Sequence, residues 1–398
     1  MMPILNKIVK DIPEAMSIYV NQIVYDKKSR GERVYTYSLG EAFFDIPRFE
    51  IPDTDWYTGY HYSSSMGNGD LRKKISQMYK KYNVDVNPEN EICISAGSKV
   101  LIFMVLQTIL SSGNEVIVPE PAWLSYKEQI KLAGGKHIAV PYTKNVYDWE
   151  NYITSNTKAI IINNPTNPSG KLFSNTEFEF LIQLAKKYNL FIICDEAYSD
   201  FLCPKDAFYS FAKFDKNKEN TIIVNSLSKN MGMSGWRVGY VISHKDLVKQ
   251  ILKLNQHIVT CAPTVLQNYM AKHFEEILSY TRPQAIQMAE KRKRVLDIMN
   301  QIGIKAMDGV GTFYFLLDVS QFHGTTKELV YDLLINHNIA TVPGAAYGES
   351  VDGFIRFGIG IENEETIQES LKLIKSFLDM PQYDNTKIKQ QMKELGVQ

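Results

Sequence analysis

The sequence lacks long hydrophobic runs and an excess of charge of either sign. No apolar stretch approaches the ~20 residues that a transmembrane helix needs. Lys plus Arg and Asp plus Glu number 44 each, so the formal net charge is zero and bulk electrostatic binding to nucleic acid or to an anionic membrane is disfavoured. The N-terminal residues show neither a signal-peptide core nor a cleavage site. We therefore expect neither nucleic-acid nor membrane partners.

Cysteine and histidine are both scarce. The four cysteines form no Cys-x-x-Cys pair, and two of them, Cys93 and Cys194, fall inside apolar, strand-like runs. The seven histidines form no cluster with the spacing of metal ligands. These patterns predict buried free thiols, the reducing cytoplasm as the compartment, and no metal site.

Apolar, strand-like runs alternate with helical periodicity from about residue 90 onward. The 398 residues suffice for two or three domains. The runs are short and show no polar alternation, which indicates strands buried on both faces of a mainly parallel sheet. We therefore predict an α/β fold with a mostly parallel seven-stranded sheet flanked by helices. Its strand-like runs are 91–95, 115–118, 136–140, 159–162, 190–194, 221–224 and 237–241.

The C-terminal part has a different pattern, which predicts a smaller α+β domain. A helical stretch at 282–302 precedes strand-like runs at 311–318, 339–342 and 354–357, with helices at 326–336 and 365–378. We expect three parts: an N-terminal segment, 1–44, that packs with the small domain, a large ligand-binding domain, 45–285, and the small domain, 286–398. The tail after Pro381 receives no function.

Polar residues follow several of the predicted strands, where parallel α/β sheets bind ligands. Gly97, Ser98 and Lys99 open a helix, whose free N–H groups suit an anion, although a plain N-cap is the alternative. Asn167 lies in a loop restricted by two prolines, where a structural turn is the alternative. Asp195 ends a buried strand, so its carboxylate needs a partner, either a protonated pyridine nitrogen or a protein Arg or Lys.

Lys229 ends another of these runs, three residues after Ser226 and one after Ser228, and Arg237 follows on a second short apolar run. A lysine placed in this way forms a Schiff base with an aldehyde cofactor while its neighbours hold an attached phosphate; a surface turn is the alternative. An amine, a buried acid, an anion cradle and an Arg–Ser pair at one sheet edge are what pyridoxal phosphate requires.

These features together resemble the class I/II aminotransferases, fold-type I pyridoxal-phosphate enzymes with the aspartate aminotransferase fold. The resemblance covers about residues 37–378. It rests on motifs in family order: Leu39-Gly40-Glu41; Tyr62 with Gly67 and Leu71-Arg72; Gly97-Ser98-Lys99; Pro121-x-Trp123-x-x-Tyr126; Asn163-x-Pro165-x-Asn167-Pro168-Ser169-Gly170; Asp195-Glu196-x-Tyr198; Ser226-x-Ser228-Lys229 with Gly235-Trp236-Arg237-x-Gly239; Gly311-x-Phe313-Tyr314; and Arg356.

The resemblance implies a role for each residue around the pyridoxal ring. Lys229 forms the Schiff base with the cofactor and then moves the proton at the substrate Cα. Asp195 pairs with the pyridinium N–H. Asn167 and Tyr198 hydrogen-bond the phenolate oxygen, and Trp123 stacks on the ring face. An ordinary core residue is the alternative for Trp123.

The resemblance also implies how the phosphate and the substrate are held. Arg356 binds the substrate α-carboxylate with help from Gly40 and Asn167, a structural ion pair being the alternative for Arg356. Tyr62 reaches the phosphate of a neighbouring subunit, which implies a homodimer with shared sites, unless Tyr62 is a plain interface residue. The phosphate contacts within the chain are Gly97, Ser98, Lys99, Ser226, Ser228 and Arg237.

The leading interpretation is an aminotransferase that moves an amino group between an amino acid and a 2-oxo acid by a ping-pong mechanism. Lys99 favours glutamate or aspartate as the donor. The alternative is a decarboxylase of a phosphoserine-like or phosphothreonine-like amino acid, for which Ser63–Ser65, expected beside the phosphate and the substrate entrance, and Lys99 would supply a second anion site. β-Lyase chemistry and a non-catalytic cofactor-binding protein remain smaller possibilities.

Overall fold

The computed structural model describes residues 3, 5–204 and 206–397. Within them the strands are β1 (Tyr35–Thr36), β2 (Ile92–Ser95), β3 (Glu115–Pro119), β4 (Lys136–Val140), β5 (Thr157–Asn163), β6 (Phe191–Asp195), β7 (Thr221–Ser226), β8 (Gly239–Ile242), β9 (Tyr314–Asp318), β10 (Ile339–Ala340), β11 (Val342–Pro343) and β12 (Phe354–Gly358).

The helices of the described residues surround these strands. They are α1 (Lys7–Asp11), α2 (Met16–Ser29), α3 (Asp53–Gly59), α4 (Gly69–Lys80), α5 (Ser98–Ile109), α6 (Ser125–Leu132), α7 (Asn175–Tyr188), α8 (Leu227–Asn230), α9 (Lys245–Ile258), α10 (Thr264–Lys272), α11 (Phe274–Ile302), α12 (Thr326–His337), α13 (Glu364–Leu378) and α14 (Thr386–Glu394). None of them is long and apolar enough to cross a membrane.

The seven predicted strand-like runs form one sheet with the order β2-β8-β7-β6-β5-β3-β4. Strands β7, β6, β5, β3 and β4 are parallel, and β8 runs antiparallel to both of its neighbours. Helices cover both faces, so the strands are apolar on both sides, as the absence of polar alternation predicted. The predicted α/β fold with a mostly parallel, helix-flanked sheet is confirmed.

Strand register brings polar residues together at one edge of this sheet. Asn163, the last residue of β5, lies opposite Asp195, the last residue of β6. β7 ends at Ser226 and leads directly into the short helix α8, which carries Lys229. The carboxyl ends of three neighbouring parallel strands therefore deliver an amide, a carboxylate and an amine to the same region.

The C-terminal part contains two small sheets. β11, β12 and β9 make an antiparallel three-stranded sheet, and β10 pairs in parallel with β1. The sequence predicted a single strand at 339–342, which is wrong: the run divides at Thr341, and its halves join different sheets. A four-residue apolar run carries no signal for such a division, because the partners of each half lie far away in sequence.

The N-terminal segment packs against these C-terminal elements. Val20 and Val24 of α2, together with Val34, are buried against Leu334 and Ala340. Helix α11 spans residues on both sides of the predicted boundary between residues 285 and 286. The division into three parts at residues 44 and 285 stays a prediction.

Candidate active site

A cavity of about 440 Å³ lies at the carboxyl ends of β5, β6 and β7. The large sheet, the α5 N-terminus, α2 and the small antiparallel sheet all contribute to its wall. Its lining residues are Ser17, Asn21, Ser38, Gly40, Ser98, Lys99, Trp123, Asn163, Asn167, Asp195, Ala197, Tyr198, Ser226, Ser228, Lys229, Ser234, Arg237, Tyr314 and Arg356.

Most of the residues that the sequence nominated line this one cavity, although they come from positions 40 to 356. Two nominated residues do not. Gly97 lies behind the wall as the N-cap of α5. Tyr62 is 86% exposed on the surface.

Lys229 presents its amine to the cavity from α8. Its Nζ donates a hydrogen bond to the Gly40 carbonyl oxygen. Burial, together with the nearby Arg356 and Arg237, lowers the pKa of Lys229 to about 8, while Glu41 and Asp195 oppose the shift. The site therefore holds an amine that loses its proton far more readily than a surface lysine, as nucleophilic and general-base roles require.

Asp195 is buried and its carboxylate is held by neutral donors. Oδ2 accepts from the Tyr126 hydroxyl at 2.8 Å and Oδ1 from the Ala197 amide at 3.1 Å. Burial raises the pKa of Asp195 to about 6, and these two hydrogen bonds and Lys229 oppose the rise. Among the residues that the structure describes, no Arg or Lys forms a salt bridge with it, so the ion-pair alternative is absent here.

A hydrogen-bonded chain of side chains crosses the cavity floor. The Asn167 amide N–H donates to Asn163 Oδ1 at 2.6 Å, which fixes the loop. Asn167 Nδ2 donates to the Tyr198 hydroxyl at 3.1 Å, and that hydroxyl lies 3.2 Å from the Tyr314 hydroxyl. Tyr314 belonged to a recognised motif but received no role from the sequence.

The predicted anion cradle is built on Gly97. This glycine has φ +94°, and a Cβ there would lie 2.6 Å from Arg237 Nη2, so only glycine admits the guanidinium. Arg237 in turn donates to the Ser234 carbonyl oxygen at 2.8 Å. Ser226 caps α8 by accepting from the Ser228 amide at 3.1 Å. The α5 N-terminus, the guanidinium and two serines thus converge on one place.

Arg356 lies on the opposite wall, on strand β12. Its Nη2 donates to the Ser38 carbonyl oxygen at 2.5 Å. Its guanidinium carbon is 4.6 Å from the Tyr314 ring centre and 5.1 Å from that of Tyr347. Within the part of the chain that the structure covers, no carboxylate pairs with it. The structural ion pair considered for Arg356 is therefore not observed.

Lys99 and Trp123 form a pair at the cavity rim. The Lys99 ammonium lies 5.1 Å from the Trp123 ring centre. Burial lowers the pKa of Lys99, and repulsion by Arg237 lowers it further. Trp123 is half-buried and meets Tyr126 edge to face at 5.2 Å, so it packs against the apolar core on one side and lines the cavity on the other.

Sequence reasoning missed the contribution of α2. Ser17 and Asn21 line the cavity, and Asn21 Oδ1 accepts from the Ser38 hydroxyl at 2.6 Å. No motif marks them, because they approach the site only through the packing of α2 on the small domain. Ser63–Ser65 does not line the cavity of its own chain, where the Ser65 carbonyl oxygen accepts from Asn255, and its expected place beside the phosphate stays a prediction.

The cavity fits pyridoxal phosphate by an independent observation. Three buried polar atoms on its wall have no hydrogen-bond partner among the described residues: Ser228 Oγ, Asn167 Oδ1 and Arg356 Nε. Buried polar atoms are normally paired, so orphans that converge on one cavity indicate a polar ligand. Ser228 Oγ and Arg356 Nε are donors, and they belong to residues that the resemblance assigned to the phosphate and to the substrate carboxylate, whereas Asn167 Oδ1 can only accept.

The model of the family "Aminotransferase class I and II" matches residues 57–374 of this chain. The chain belongs to this family, its fold is the aspartate aminotransferase fold, and it is a pyridoxal-phosphate-dependent aminotransferase.

Several similar proteins are named as aminotransferases or transaminases. A (5-formylfuran-3-yl)methyl phosphate transaminase from Methanocaldococcus jannaschii is 33% identical, over 88% of this chain and 93% of its own length. An aspartate aminotransferase from Pyrococcus abyssi is 30% identical, over 89% and 94%. A solved Methanococcus jannaschii structure, described as similar in its active site to kynurenine aminotransferases, has a TM-score of 0.82 and 31% identity, covering 94% of this chain and 100% of its own. These names give the decarboxylase alternative no support.

Proposed function

We propose that this enzyme transfers an amino group from glutamate or aspartate to a 2-oxo acid by a ping-pong mechanism. The observation that carries the proposal is the placement of two cations on the walls of one cavity. Arg356 suits an α-carboxylate, and Lys99 at the rim suits a second anionic group. Two relatives act on substrates of that kind, an aspartate aminotransferase and a transaminase of a phosphate ester.

Lys229 is the residue that moves protons. Bound pyridoxal phosphate supplies an aldehyde for the amino group and an electron-withdrawing ring, which makes the substrate Cα proton acidic. Lys229, with a pKa of about 8, would accept that proton from the substrate Cα and so act as the general base. Glu41 and Asp195 raise the pKa of Lys229, and Arg356 and Arg237 lower it, so the two pairs of charges oppose each other.

Asp195, Asn167 and Tyr198 orient the ring in this proposal. The Asp195 carboxylate meets the ring nitrogen, whose positive charge would lower the pKa that burial raises. Tyr126 fixes the rotamer of that carboxylate through its hydroxyl. Asn167 and Tyr198 meet the phenolate oxygen.

Different sides of the cavity would bind the phosphate and the substrate carboxylate. The phosphate would be held at the α5 N-terminus by the amides of Ser98 and Lys99, the hydroxyls of Ser226 and Ser228, and Arg237, with space that the absence of a Cβ on Gly97 keeps open. Arg356 holds the substrate α-carboxylate, with Gly40 and Asn167 nearby. Trp123 covers one ring face.

The proposal includes a homodimer in the cytoplasm. Tyr62 is 86% exposed, and exposed aromatic residues cluster around it on and after α3, including Tyr57 at 69% and Tyr60 at 78%. A second copy of the chain would cover this surface and receive Tyr62 near its phosphate site. Cys93 and Cys194 are buried thiols, which suits a reducing compartment.

A panel of amino donors tests the substrate proposal. We expect Lys99→Gln to lower kcat/KM for glutamate or aspartate about tenfold, because one charge-assisted contact is worth roughly 1.5–3 kcal/mol before exposure reduces it. Alanine, which has no second carboxylate, serves as the control donor and should change less than about twofold. An equal loss with both donors would refute the role of Lys99 in donor recognition.

A further inference from the structure

Tyr314 joins the two parts of the site that the proposed function treats separately. It begins strand β9, is fully buried, and lines the cavity. Its hydroxyl contacts Tyr198, which is assigned to the cofactor, and its ring contacts Arg356, which is assigned to the substrate. Sequence motifs alone assigned Tyr314 no role.

The position of the ring follows from strand register. In the antiparallel pair β9–β12, Arg356 lies opposite Leu316, and Tyr314 is two residues from Leu316 on the same strand. Side chains two residues apart point to the same face, so Tyr314 and Arg356 are diagonal neighbours there. The guanidinium carbon lies 4.6 Å from the ring centre, within cation–π range.

The backbone around Tyr314 is fixed by two side chains. The Tyr314 amide donates to Thr312 Oγ1 at 3.2 Å, and the buried Arg292 donates through Nε to the Tyr314 carbonyl oxygen at 3.2 Å. A Cβ on Gly40 would lie 3.0 Å from the Tyr314 hydroxyl, which shows how closely that hydroxyl lies against the Gly40 backbone. The ring and hydroxyl therefore have little freedom to move.

The hydroxyl meets Tyr198 at 3.2 Å while Asn167 Nδ2 donates to the same Tyr198 oxygen at 3.1 Å. When Tyr314 donates to that oxygen, the Tyr198 proton is free to point into the cavity. Two donated hydrogen bonds strengthen Tyr198 as a donor by polarising its O–H bond. Tyr198 is the group expected to meet the phenolate oxygen.

We propose that Tyr314 is a positioning residue with two separable parts: its ring fixes Arg356 for the substrate α-carboxylate, and its hydroxyl strengthens Tyr198 as a donor to the cofactor. This inference rests on the proposed function, because it takes the roles of Arg356 and Tyr198 from it. The two parts make different predictions for two substitutions of one residue.

Tyr314→Phe removes only the hydroxyl. The visible absorption of the bound cofactor changes at a characteristic pH, and we expect this midpoint to rise by about 0.5 unit, since one indirect neutral hydrogen bond is worth less than one pKa unit. The direction follows because a weaker donor at the phenolate oxygen leaves that oxygen a better acceptor for the neighbouring proton. The dissociation constant of a 2-oxo acid ligand should stay within about twofold, because the ring remains under Arg356.

Tyr314→Leu removes the ring as well. We expect the same rise of the midpoint. In addition, the dissociation constant of the 2-oxo acid should rise roughly five- to tenfold, which corresponds to the free energy of a desolvated cation–π contact. The charged groups that act on the Tyr198–Tyr314 pair are Arg356, Asp195 and Glu41. Both variants retain them, so a change in local charge cannot produce the difference.

Tyr331→Phe is the matched control. Tyr331 is a buried tyrosine of α12 outside the cavity, and its hydroxyl contacts the Met16 sulfur at 3.8 Å. Its loss should move neither the spectral midpoint nor the ligand dissociation constant, whatever it does to thermal stability.

All measurements use the holoenzyme and need no turnover. An unshifted midpoint in Tyr314→Phe, or equal ligand binding by Tyr314→Phe and Tyr314→Leu, would overturn the inference. Failure of the wild-type enzyme to accept an amino group from any donor would instead overturn the proposed function. The two failures are therefore distinguishable.

Discussion

At the scale of single residues, two buried groups that line the cavity have shifted pKa values. Burial lowers the pKa of Lys229 to about 8 and raises the pKa of Asp195 to about 6. Both shifts reduce the charge of the group that is desolvated. Pyridoxal phosphate held here would offset both shifts, because Lys229 would bond to its aldehyde carbon and Asp195 would pair with its positive ring nitrogen.

Lys229 should be the residue whose loss stops the reaction. We expect Lys229→Ala to lower kcat by at least about 10³-fold, as removal of a nucleophile that is also the general base does. Single-turnover kinetics with glutamate measure this loss, and circular dichroism controls for the fold. Unchanged activity would contradict both the aminotransferase mechanism and the assignment of Lys229.

The pKa of Lys229 should depend on Glu41, whose side chain also accepts a hydrogen bond from Ser234. Because Glu41 raises the pKa of Lys229, Glu41→Gln should move it below the wild-type value of about 8. The pH dependence of amine modification at Lys229 in the cofactor-free enzyme measures this. A midpoint that stays unchanged or rises would be inconsistent with the electrostatics of the site.

Ionisation of the buried Asp195 should lower the free energy of unfolding of the cofactor-free enzyme as pH rises. Its pKa rises on folding from 3.8 to about 6, so the protonated form favours the folded state and the penalty develops as pH increases from about 4 to 6. Above that window the penalty is at most roughly 3 kcal/mol. Thermal melting should show Asp195→Asn gaining stability over wild type across this window; a pH-independent difference would refute the shift.

At the scale of elements, turns between strands and helices create the binding surface. The sequence predicted the strands and their polar ends well, because doubly buried strands lack polar alternation and their last residues are conspicuous. It missed Ser17 and Asn21, since α2 reaches the cavity only through contacts of Val20 and Val24 with distant residues. Ser63–Ser65, expected beside the phosphate, does not line the cavity of its own chain, because proximity in sequence to Tyr62 does not determine where the loop turns.

A substitution at Gly97 tests whether the turn between β2 and α5 forms the phosphate site. We expect Gly97→Ala to weaken cofactor binding about tenfold, because the added Cβ would lie 2.6 Å from Arg237 Nη2 and displace it. Gly113→Ala is the control: Gly113 has a similar φ of +86°, but a Cβ there meets nothing within 4 Å. Both should lose roughly 1 kcal/mol or more of stability from backbone strain. Equal cofactor affinity in the two variants would contradict the cradle.

At the scale of the whole molecule, the site joins the large sheet, the N-terminal segment and the small antiparallel sheet. Gly40 and Arg356 approach Lys229 only because β1 and α2 pack on the C-terminal elements. The sequence could name these residues by resemblance but could not show that they share one cavity. In the proposed dimer, the exposed aromatic surface around Tyr62 would be covered by a second subunit, whose site Tyr62 would enter.

Tyr62 tests the shared site. We expect a dimer by light scattering, and Tyr62→Phe should weaken cofactor binding about fivefold, the value of one hydrogen bond of roughly 1 kcal/mol. Tyr60→Phe is the control, since Tyr60 is comparably exposed at 78% on the same surface. A monomer with full cofactor affinity, or equal effects of the two substitutions, would rule out the shared site.

The most direct test of the central claim is a single half-reaction followed in the holoenzyme with glutamate and no acceptor. We predict that the cofactor absorption changes completely, that one equivalent of 2-oxo acid forms per active site, and that adding a 2-oxo acid restores the original spectrum. Release of carbon dioxide in place of the 2-oxo acid, or no spectral change with glutamate or aspartate, would contradict the account.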